Sequence, residues 1–436
     1  MVDLRDCLDR SVHGPILRER DFDLGFAQTA RRLASDYAFE YDADRVIPDD
    51  KTADKVFEAG VDLLVETGLY NKDSQRIIQF QREEILDLAR SRQRELILGT
   101  GEDAVVVQER KPDSDFPPII VTGPVGGPLT DEYFLPCHLS YAQEPTCQGL
   151  LGGVLLSYEG VENMPGRPNE LIVCRGEGKL LNQAAIDAGK PGLFVGPFPP
   201  GGISPEAIFS GWSAEGIAAE RTSIPIQVMP ELKINWGKMN LALFCQYHGI
   251  LPWVDVSPVI GGFCRTPVEA AVTQTAAVLA LWAFTGGSIA CVWSTDIEGI
   301  CTRKRNLWTH AATTRALERH VGNPVFLLGY ASAGPCTEMV LLETAAYTVS
   351  YTASGGELIW GGASSNGIDV NASAGLQGRM IGETAQASCA IGTDKANEII
   401  NRLFSTFEED LPTAPKGKTF PECYDLATLE PTREYS

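Results

Sequence analysis

One segment in the middle of the chain decides the predicted fold: Ile250-Leu-Pro-Trp-Val-Asp-Val256, then Pro267-Val-Glu-Ala-Ala-Val-Thr-Gln-Thr-Ala-Ala-Val-Leu-Ala-Leu-Trp-Ala-Phe-Thr285, then Ser288-Ile-Ala-Cys-Val-Trp-Ser-Thr295. The outer parts are short, nearly continuous apolar runs, which are typical of parallel strands buried on both faces. The middle part has the length and composition of a buried helix. This order predicts two parallel strands joined by a helical crossover.

The same alternation extends in both directions from this segment, and it gives eight short runs of strand type. Each run is followed by a helical stretch, so the pattern predicts an α/β fold, a TIM (β/α)8 barrel. An open, doubly wound sheet is the alternative, because a sequence pattern cannot show whether a sheet closes. The eight runs are Pro118–Gly123, Glu170–Arg175, Gly192–Pro197, Ile224–Met229, Ile250–Val256, Ser288–Thr295, Pro324–Tyr330 and Glu357–Gly362.

The region before the first run has a different character. Lys51–Thr67 and Ser74–Glu95 carry apolar residues near helical period, and Ala104–Gln108 is typical of a short strand. We therefore predict a helical extension over residues 1–117, a barrel over 118–408 and a C-terminal tail over 409–436. The extension is expected to pack on the barrel.

Composition excludes several classes of function. The 57 acidic residues exceed the 36 basic ones, giving a formal net charge of −21, so a nucleic-acid partner is not expected. No apolar stretch is long enough to predict a membrane span. The charged N-terminus does not resemble a secretory signal, and the eleven cysteines lack paired spacing. We expect a cytoplasmic protein with reduced thiols.

In a barrel of this kind, the active site lies at the C-terminal ends of the strands. Asp255 ends the fifth run, where it needs a partner, a proton or a cavity. A buried ion pair with Arg265 or Arg175 is the structural alternative. Tyr330 ends the seventh run, and Glu231 follows the fourth, where it is either a site residue or an ordinary loop carboxylate.

Three tryptophans and one histidine complete this set of candidates. Trp253, Trp293 and Trp360 lie at or near predicted strand ends, where carboxylates and aromatic faces together suit a cationic ligand. Filling of the barrel interior is the alternative for each tryptophan. His138 is a candidate for proton transfer, or a buried histidine that bonds to the backbone.

Two other patterns are weak. Gly99–Ala104 matches a loose dinucleotide-binding pattern, but a predicted helix precedes it, so a turn is the better interpretation. Cys245 and His248 are three residues apart on a predicted helix, and Cys137, His138 or Cys264 would have to complete a metal site. Nothing in the spacing requires one, and we predict no bound metal.

Four passages closely resemble the monomethylamine methyltransferases of methanogens, with weaker similarity between them. The resemblance extends from the N-terminal region almost to Ser436. It implies a TIM barrel with an N-terminal helical extension, assembled as a homo-oligomer, with no tightly bound cofactor. The passages are Leu98–Val105, Phe134–Ala142, Ala333–Met339 and Gly417–Asp425.

Members of this family transfer a methyl group from a methylamine to the cobalt of a separate corrinoid protein. Their hallmark is pyrrolysine, placed between the positions that match Val195 and Gly196, which are adjacent here. The family's active-site glutamine is matched by Leu328 and its tyrosine by Tyr330, whereas Asp255 matches its acidic residue on strand five. We add Asp103, in the first passage, and the positions Val195, Gly196 and Leu328 to the candidate substrate-binding residues.

The resemblance leads to three hypotheses. The first is a pyrrolysine-independent methyltransferase that moves methyl from a methylated amine to the Co(I) of a cognate corrinoid protein; a quaternary amine needs no imine for activation. In this hypothesis Asp255, Tyr330 and His138 are catalytic. The second is a barrel methyltransferase with a Cys/His metal site. The third is a non-catalytic relic whose pocket is filled by Phe194 and Leu328.

Overall fold

Eight parallel strands form a closed barrel in the computed structural model, which describes residues 2–91, 96–196, 201–212, 217–286 and 288–436. Neighbouring strands pair in the order β3-β2-β1-β8-β7-β6-β5-β4. A bridge between Val195 and Thr222 joins β3 to β4 and closes the barrel. The strands are β1 Ile119–Thr122, β2 Gly149–Leu150, β3 Phe194–Val195, β4 Ser223–Gln227, β5 Leu251–Val256, β6 Ile289–Val292, β7 Val325–Tyr330 and β8 Leu358–Ala363.

Helices surround the barrel and precede it. The helices before the barrel are α1 Leu4–His13, α2 Glu19–Asp36, α3 Asp50–Thr67 and α4 Arg82–Arg90. Those that follow the strands are α5 Asp131–Ala142, α6 Pro168–Asp187, α7 Pro205–Trp212, α8 Trp236–His248, α9 Pro267–Thr285, α10 Lys304–His320, α11 Glu338–Ala353, α12 Leu376–Ala387 and α13 Thr393–Phe407. A short helix, α14 Phe420–Cys423, lies in the tail.

Several short strand pairs lie in the segments outside the barrel sheet. Leu69–Asn71 pairs with Arg76–Ile78 and Lys233–Ile234, and Leu96–Leu98 forms a hairpin with Val105–Val107. The remaining pairs are Pro128–Leu129 with Val154–Leu155, Ser157–Tyr158 with Val161–Glu162, and Val259–Ile260 with Thr295–Asp296.

The predicted barrel is confirmed, but its second strand was placed wrongly. Glu170–Arg175 is not a strand; it lies inside α6. The second strand is Gly149–Leu150, which the sequence pattern assigns to the end of a helix. A strand of two residues is too short to show a periodic pattern of apolar residues. Glycine is needed at position 149, because a Cβ there would lie 2.9 Å from a Val121 methyl. Pro168 at the first turn of α6 marks the true helix start.

Other predicted boundaries shift. The predicted helix Ser74–Glu95 is a strand, Arg76–Ile78, followed by α4. Pro197 and parts of the predicted helices Ser74–Glu95 and Ser204–Glu220 lie outside the described residues.

Helix α9 joins the barrel to the N-terminal helices. Among the described helices, α9 alone has the length and mean hydropathy of a membrane span, yet 94% of it is buried inside the protein. It is apolar on all sides because the barrel covers one face and α3, α2 and α4 pack against others. The N-terminal helices therefore share one continuous core with the barrel. The domain boundaries proposed above remain predictions.

The contact between α3 and α9 gives a test of this packing. A Cβ added at Gly60 of α3 would lie 2.6 Å from Thr275 Cγ2 of α9, whereas one added at Gly25 of α2 meets nothing within 4 Å. We expect Gly60→Ala to destabilise the protein by about 1–3 kcal/mol through overpacking. The matched change Gly25→Ala should stabilise by about 0.5–1 kcal/mol. Thermal midpoints measure both, and shifts of the same sign would contradict this packing.

The hairpin of Leu96–Leu98 and Val105–Val107 covers the N-terminal end of the barrel. Leu98 belongs to the same apolar cluster as interior strand residues such as Ile119 and Leu358. Leu96 and Val107 border the same cavity as Pro324 and Glu357, which precede β7 and β8. Access to the barrel centre is therefore from the opposite, C-terminal end.

The middle of the barrel is filled by aromatic side chains. Phe326 and Trp360 stack with ring centroids 3.9 Å apart, and Trp253 lies 5.4 Å from Trp360. Phe194 of β3 packs 6.2 Å from Trp360. These rings form the floor beneath the C-terminal mouth.

Candidate functional site

A small cavity of about 180 Å³ opens at the C-terminal mouth of the barrel. It is smaller than the roughly 300–1,000 Å³ of pockets for drug-sized ligands, so it suits a small molecule. Its walls come from the loops that follow β1, β6, β7 and β8. The lining residues are Gly126, Trp293, Thr295, Gly299, Cys301, Tyr330, Asn366 and Gly367. None of the described lining residues is acidic, and Asp255 lies behind the wall formed by Trp293.

Asp255 is held at the end of β5 by two side-chain donors. Trp293 Nε1 donates to Oδ1 over 2.9 Å, and Gln227 Nε2 donates to Oδ2 over 3.1 Å. Within the described residues neither Arg265 nor Arg175 donates to it, so the predicted alternative of a buried ion pair is wrong. Asp255 is 5% exposed. Burial raises the pKa of Asp255, and the two hydrogen bonds and the Lys238 charge oppose that rise.

Gln227 connects Asp255 to a lysine at the start of α8. The Gln227 side chain is exposed at the end of β4. Its Oε1 accepts a hydrogen bond from Lys238 Nζ over 3.3 Å, while its Nε2 points to Asp255. Lys238, Gln227 and Asp255 therefore form a hydrogen-bonded series beyond Trp293, and none of them is among the described residues that line the cavity.

Trp293 is fixed from the helical layer. Gln274 Nε2 of α9 donates both to Trp293 O (2.5 Å) and to Val256 O (3.0 Å), which ties the ends of β5 and β6 together. His310 Nε2 of α10 accepts from Ser294 N over 2.6 Å. Burial lowers the pKa of His310 to about 3, so the ring is neutral and Nε2 stays free to accept. The indole that faces Asp255 is thus held by a rigid backbone.

Tyr330 forms the opposite wall of the cavity. Its ring centroid lies 5.6 Å from that of Trp293. Burial raises the pKa of Tyr330 far above its ordinary value, so the phenol stays protonated. The Tyr330 hydroxyl has no hydrogen-bond partner within the described residues, which leaves it available to a bound molecule. Leu328, two residues earlier, is 4% exposed and packs with the aromatic floor.

The structure does not bring all predicted site residues to this mouth. Trp253 and Trp360 belong to the aromatic floor, where the alternative of filling the interior applies. His138 Nδ1 bonds to Phe134 O over 2.6 Å, and its Nε2 accepts from Gly153 N over 2.8 Å. Burial lowers the pKa of His138 to about 4, so a neutral ring joins two backbone segments and neither nitrogen is free.

Three further predicted residues also lie away from the cavity. Asp103 is at the N-terminal end of β3, where its Oδ2 accepts from Gly192 N over 2.8 Å. The Val195 side chain faces the helical layer, in the cluster that contains Leu150. Glu231 is half-buried in the loop after β4, and it does not line the cavity. The substrate-binding roles given to these residues remain predictions without support from their positions.

Gly196 continues β3 toward the mouth and packs tightly. Its N–H donates to Leu150 O over 3.0 Å. A Cβ at this position would lie 2.5 Å from Ser223 Oγ and 3.0 Å from the Phe194 ring. The backbone passes directly from Val195 to Gly196, and these contacts leave no space for a larger residue at position 196.

The residues proposed for a metal site do not cluster. Cys245 is buried, whereas the exposed His248 packs at a tilt against Phe244, with ring centroids 4.2 Å apart. Burial raises the pKa of the Cys245 and Cys264 thiols to about 12, which disfavours the thiolate form that binds metals. The part of the chain that the structure describes contains no group of three His, Cys, Asp or Glu side chains placed to hold a metal.

Sequence reasoning missed the residues that connect the site. Gln227 was hidden because the predicted fourth strand extended to Met229, two residues too far. Lys238, Gln274 and His310 lie on helices, where no strand-end rule applies. Only the fold shows that Gln274 and His310 hold the backbone at Trp293 and Ser294, and that Lys238 contacts Gln227.

Comparison with known proteins gives consistent results over the whole chain. A family model described as monomethylamine methyltransferase MtmB matches residues 2–436. The monomethylamine methyltransferase MtmB of Methanosarcina mazei is 32% identical over 441 residues, covering 99% of this chain and 94% of that protein. MtmB2 of Methanosarcina barkeri is 32% identical over 442 residues, with the same coverage.

Solved structures agree with this result. The crystal structure of Methanosarcina barkeri monomethylamine methyltransferase (MtmB) superposes with a TM-score of 0.94 at 31% identity. It covers 100% of this chain and 95% of the crystallised one. The crystal structure of a hydroxylamine MtmB complex gives the same TM-score, identity and coverage.

Proposed function

Because this chain belongs to the monomethylamine methyltransferase (MtmB) family and is a corrinoid-dependent methyltransferase, we propose that its methyl donor is a quaternary amine and that it acts without pyrrolysine. The acceptor in this proposal is the cobalt of a corrinoid carried by a separate partner protein. We also propose that the enzyme is a cytoplasmic homo-oligomer with no tightly bound cofactor of its own.

The observation that carries this proposal is the closed backbone at Val195 and Gly196. The family's pyrrolysine belongs between these two positions, yet the residues are adjacent and Gly196 is packed against Ser223 and Phe194. A simple methylamine then has no imine to capture it. A quaternary amine avoids the problem, because its nitrogen already carries the positive charge that makes it a good leaving group.

The mouth of the barrel suits a cation. Trp293 and Tyr330 present aromatic faces on either side of the cavity, and such faces attract cations by about 0.5–2 kcal/mol. Asp255 supplies a negative charge directly behind the Trp293 indole. The net charge of −21 also favours the approach of a cation.

The proposed reaction is a direct displacement that needs no proton. The reduced Co(I) of the partner supplies the electron pair for the new bond to the methyl carbon. The carbon–nitrogen bond breaks, its electron pair remains on nitrogen, and the amine leaves as a neutral tertiary amine. Trp293 and Tyr330 hold the ammonium so that nitrogen, methyl and the open mouth are in line, and the charge of Asp255 attracts it from behind Trp293.

The test of this proposal is methylation of a cognate corrinoid protein, measured by the absorbance change of its Co(I) form. We expect turnover with at least one quaternary amine and none with monomethylamine, dimethylamine or trimethylamine. Turnover with monomethylamine alone would overturn the quaternary-amine proposal. It would show that amine activation survives without pyrrolysine, in agreement with the names of the relatives.

The same assay separates the two remaining hypotheses. A relic would give no turnover, but the open cavity between Trp293 and Tyr330 supports a functional site. A metal-dependent enzyme would lose activity with a strong chelator and regain it with zinc. We expect chelation to leave turnover unchanged.

A further inference from the structure

The two aromatic walls of the cavity come from neighbouring strands whose pairing ends below them. Trp293 directly follows β6, and Tyr330 is the last residue of β7. The β6–β7 register ends with Val292 opposite Leu327. Both walls therefore lie beyond the last paired residues, and pairing between these two strands does not fix the distance between the two rings.

Two side chains take the place of the next hydrogen bond in this ladder. At its lower end, Ala290 N of β6 donates to Pro324 O over 3.1 Å. Donors that face the same neighbouring strand recur at every second residue, so the ladder would continue to a bond from Ser294 N to Leu328 O. Ser294 N instead donates to Nε2 of His310, over 2.6 Å.

Tyr351 of α11 completes the connection between the strand ends. Because His310 Nε2 accepts a hydrogen bond, the proton of the neutral ring lies on Nδ1, which donates to the Tyr351 hydroxyl over 2.9 Å. That hydroxyl donates to Leu328 O over 3.0 Å. His310 and Tyr351 are both 0% exposed. Two buried side chains thus join the N–H and the carbonyl that a single direct bond would join in a continuous ladder.

We propose that His310 and Tyr351 are positioning residues, which hold the ends of β6 and β7 apart and so set the size of the ammonium group that fits between Trp293 and Tyr330. This inference rests on the proposed function, because it takes the cavity as the binding site of the methyl donor. Without this pair the strand ends can form the direct backbone bond, with donor and acceptor about 2.9 Å apart. Trp293 then approaches Tyr330, and the cavity of about 180 Å³ becomes narrower.

Binding of two cations that differ by one methylene tests this inference without the corrinoid partner. Tetramethylammonium and ethyltrimethylammonium carry the same charge, and calorimetric titration of the full-length protein gives the ratio of their dissociation constants. In His310→Ala the narrower cavity should disfavour the larger ion. We expect the ratio, larger ion over smaller, to rise by about tenfold, the low end of what one methylene contributes in a fitted pocket.

Three further variants separate spacing from general damage to the fold. Tyr351→Phe leaves Leu328 O without its donor and should shift the ratio in the same direction by a smaller factor; it also serves as the test if His310→Ala does not fold. His310→Gln keeps an acceptor for Ser294 N and should stay close to the wild-type ratio. Tyr347→Phe is the matched control, because Tyr347 lies one turn earlier on α11, is also 0% exposed and makes none of these hydrogen bonds. Its ratio should not change.

The distance between the Trp293 and Tyr330 rings provides a readout that needs no ligand. The ring centroids are 5.6 Å apart, and a crystal structure of His310→Ala should show a shorter distance. Equal loss of affinity for both ions, or an unchanged ratio with an unchanged ring distance, would overturn the spacing role. If neither ion binds the wild-type protein and monomethylamine donates methyl, the quaternary-amine proposal is overturned, whereas a shorter ring distance in His310→Ala would still support the spacing role.

Discussion

Asp255→Asn is expected to lower kcat/KM for the quaternary-amine donor by about 100-fold or more. The variant removes the negative charge behind Trp293, and loss of one preorganised electrostatic contact costs roughly 2.7–4 kcal/mol in other enzymes. The amide also reverses a hydrogen bond, because Trp293 and Gln227 both donate to Asp255 and one of them would then face an N–H group. Methyl transfer to the Co(I) corrinoid protein measures the loss.

The pH dependence gives this prediction a specific signature. Burial raises the pKa of Asp255, so part of the population is protonated at acidic pH and cannot stabilise a cation. We expect kcat/KM to rise with pH as Asp255 ionises, and this limb should be absent in Asp255→Asn. Trp293→Phe removes a hydrogen bond that lowers the pKa of Asp255, so the rise of kcat/KM with pH should move to higher pH in this variant.

The same ionisation has the opposite effect on stability. Because the pKa of Asp255 is raised in the folded protein, its contribution to stability is complete below the unfolded pKa. It is lost as pH rises through the folded pKa. Activity and stability should therefore diverge over this range. An Asp255→Asn variant with an unchanged pH profile and a minor loss of kcat/KM would remove Asp255 from the site.

Seven of the eight strands were predictable because each is an apolar run between helical segments. The second strand was not, since Gly149–Leu150 carries no period and depends on the close approach of Val121. Glu170–Arg175 is β-branched in its middle, which favours a strand locally. The structure nevertheless places this segment in α6, where the Glu170 carboxylate accepts hydrogen bonds from Ile203 N, Ser204 N and Ser204 Oγ.

The candidate site was predictable where it follows from strand ends. Asp255, Trp293 and Tyr330 end or directly follow their strands, and the barrel rule selects them. The interior tryptophans lie one layer deeper, and a sequence does not show depth. Lys238 contacts Gln227 and Gln274 contacts the Trp293 backbone only through helix packing, which no local pattern encodes.

Two family-like passages have a structural explanation that sequence comparison alone does not provide. Ala333–Met339 follows β7 and Gly417–Asp425 lies in the C-terminal tail, yet they are in contact. Gly334 N donates to Pro415 O over 2.8 Å, and Lys418 N donates to Pro335 O over 2.9 Å. The tail therefore holds the loop that follows Tyr330.

Gly334→Ala is expected to destabilise the protein by about 3 kcal/mol or more, the upper range for overpacking. A Cβ there would lie 1.6 Å from Lys416 O, which is backbone and has no rotamer to change. The loop itself cannot move away, because Glu343 accepts hydrogen bonds from Ser332 N (2.7 Å) and Ala333 N (3.0 Å). The tail must therefore leave the barrel.

If the tail leaves the barrel in Gly334→Ala, we expect two results together. The thermal midpoint should fall, and limited proteolysis should cleave the tail between about residues 409 and 419 earlier than in the wild-type protein. Gly25→Ala, where a Cβ meets nothing within 4 Å, is the control and should show neither effect. A lower midpoint with an equally protected tail would mean that the loop after β7 yields instead. Tyr330 would then move, and the rate of methyl transfer should fall by more than the loss of folded protein explains.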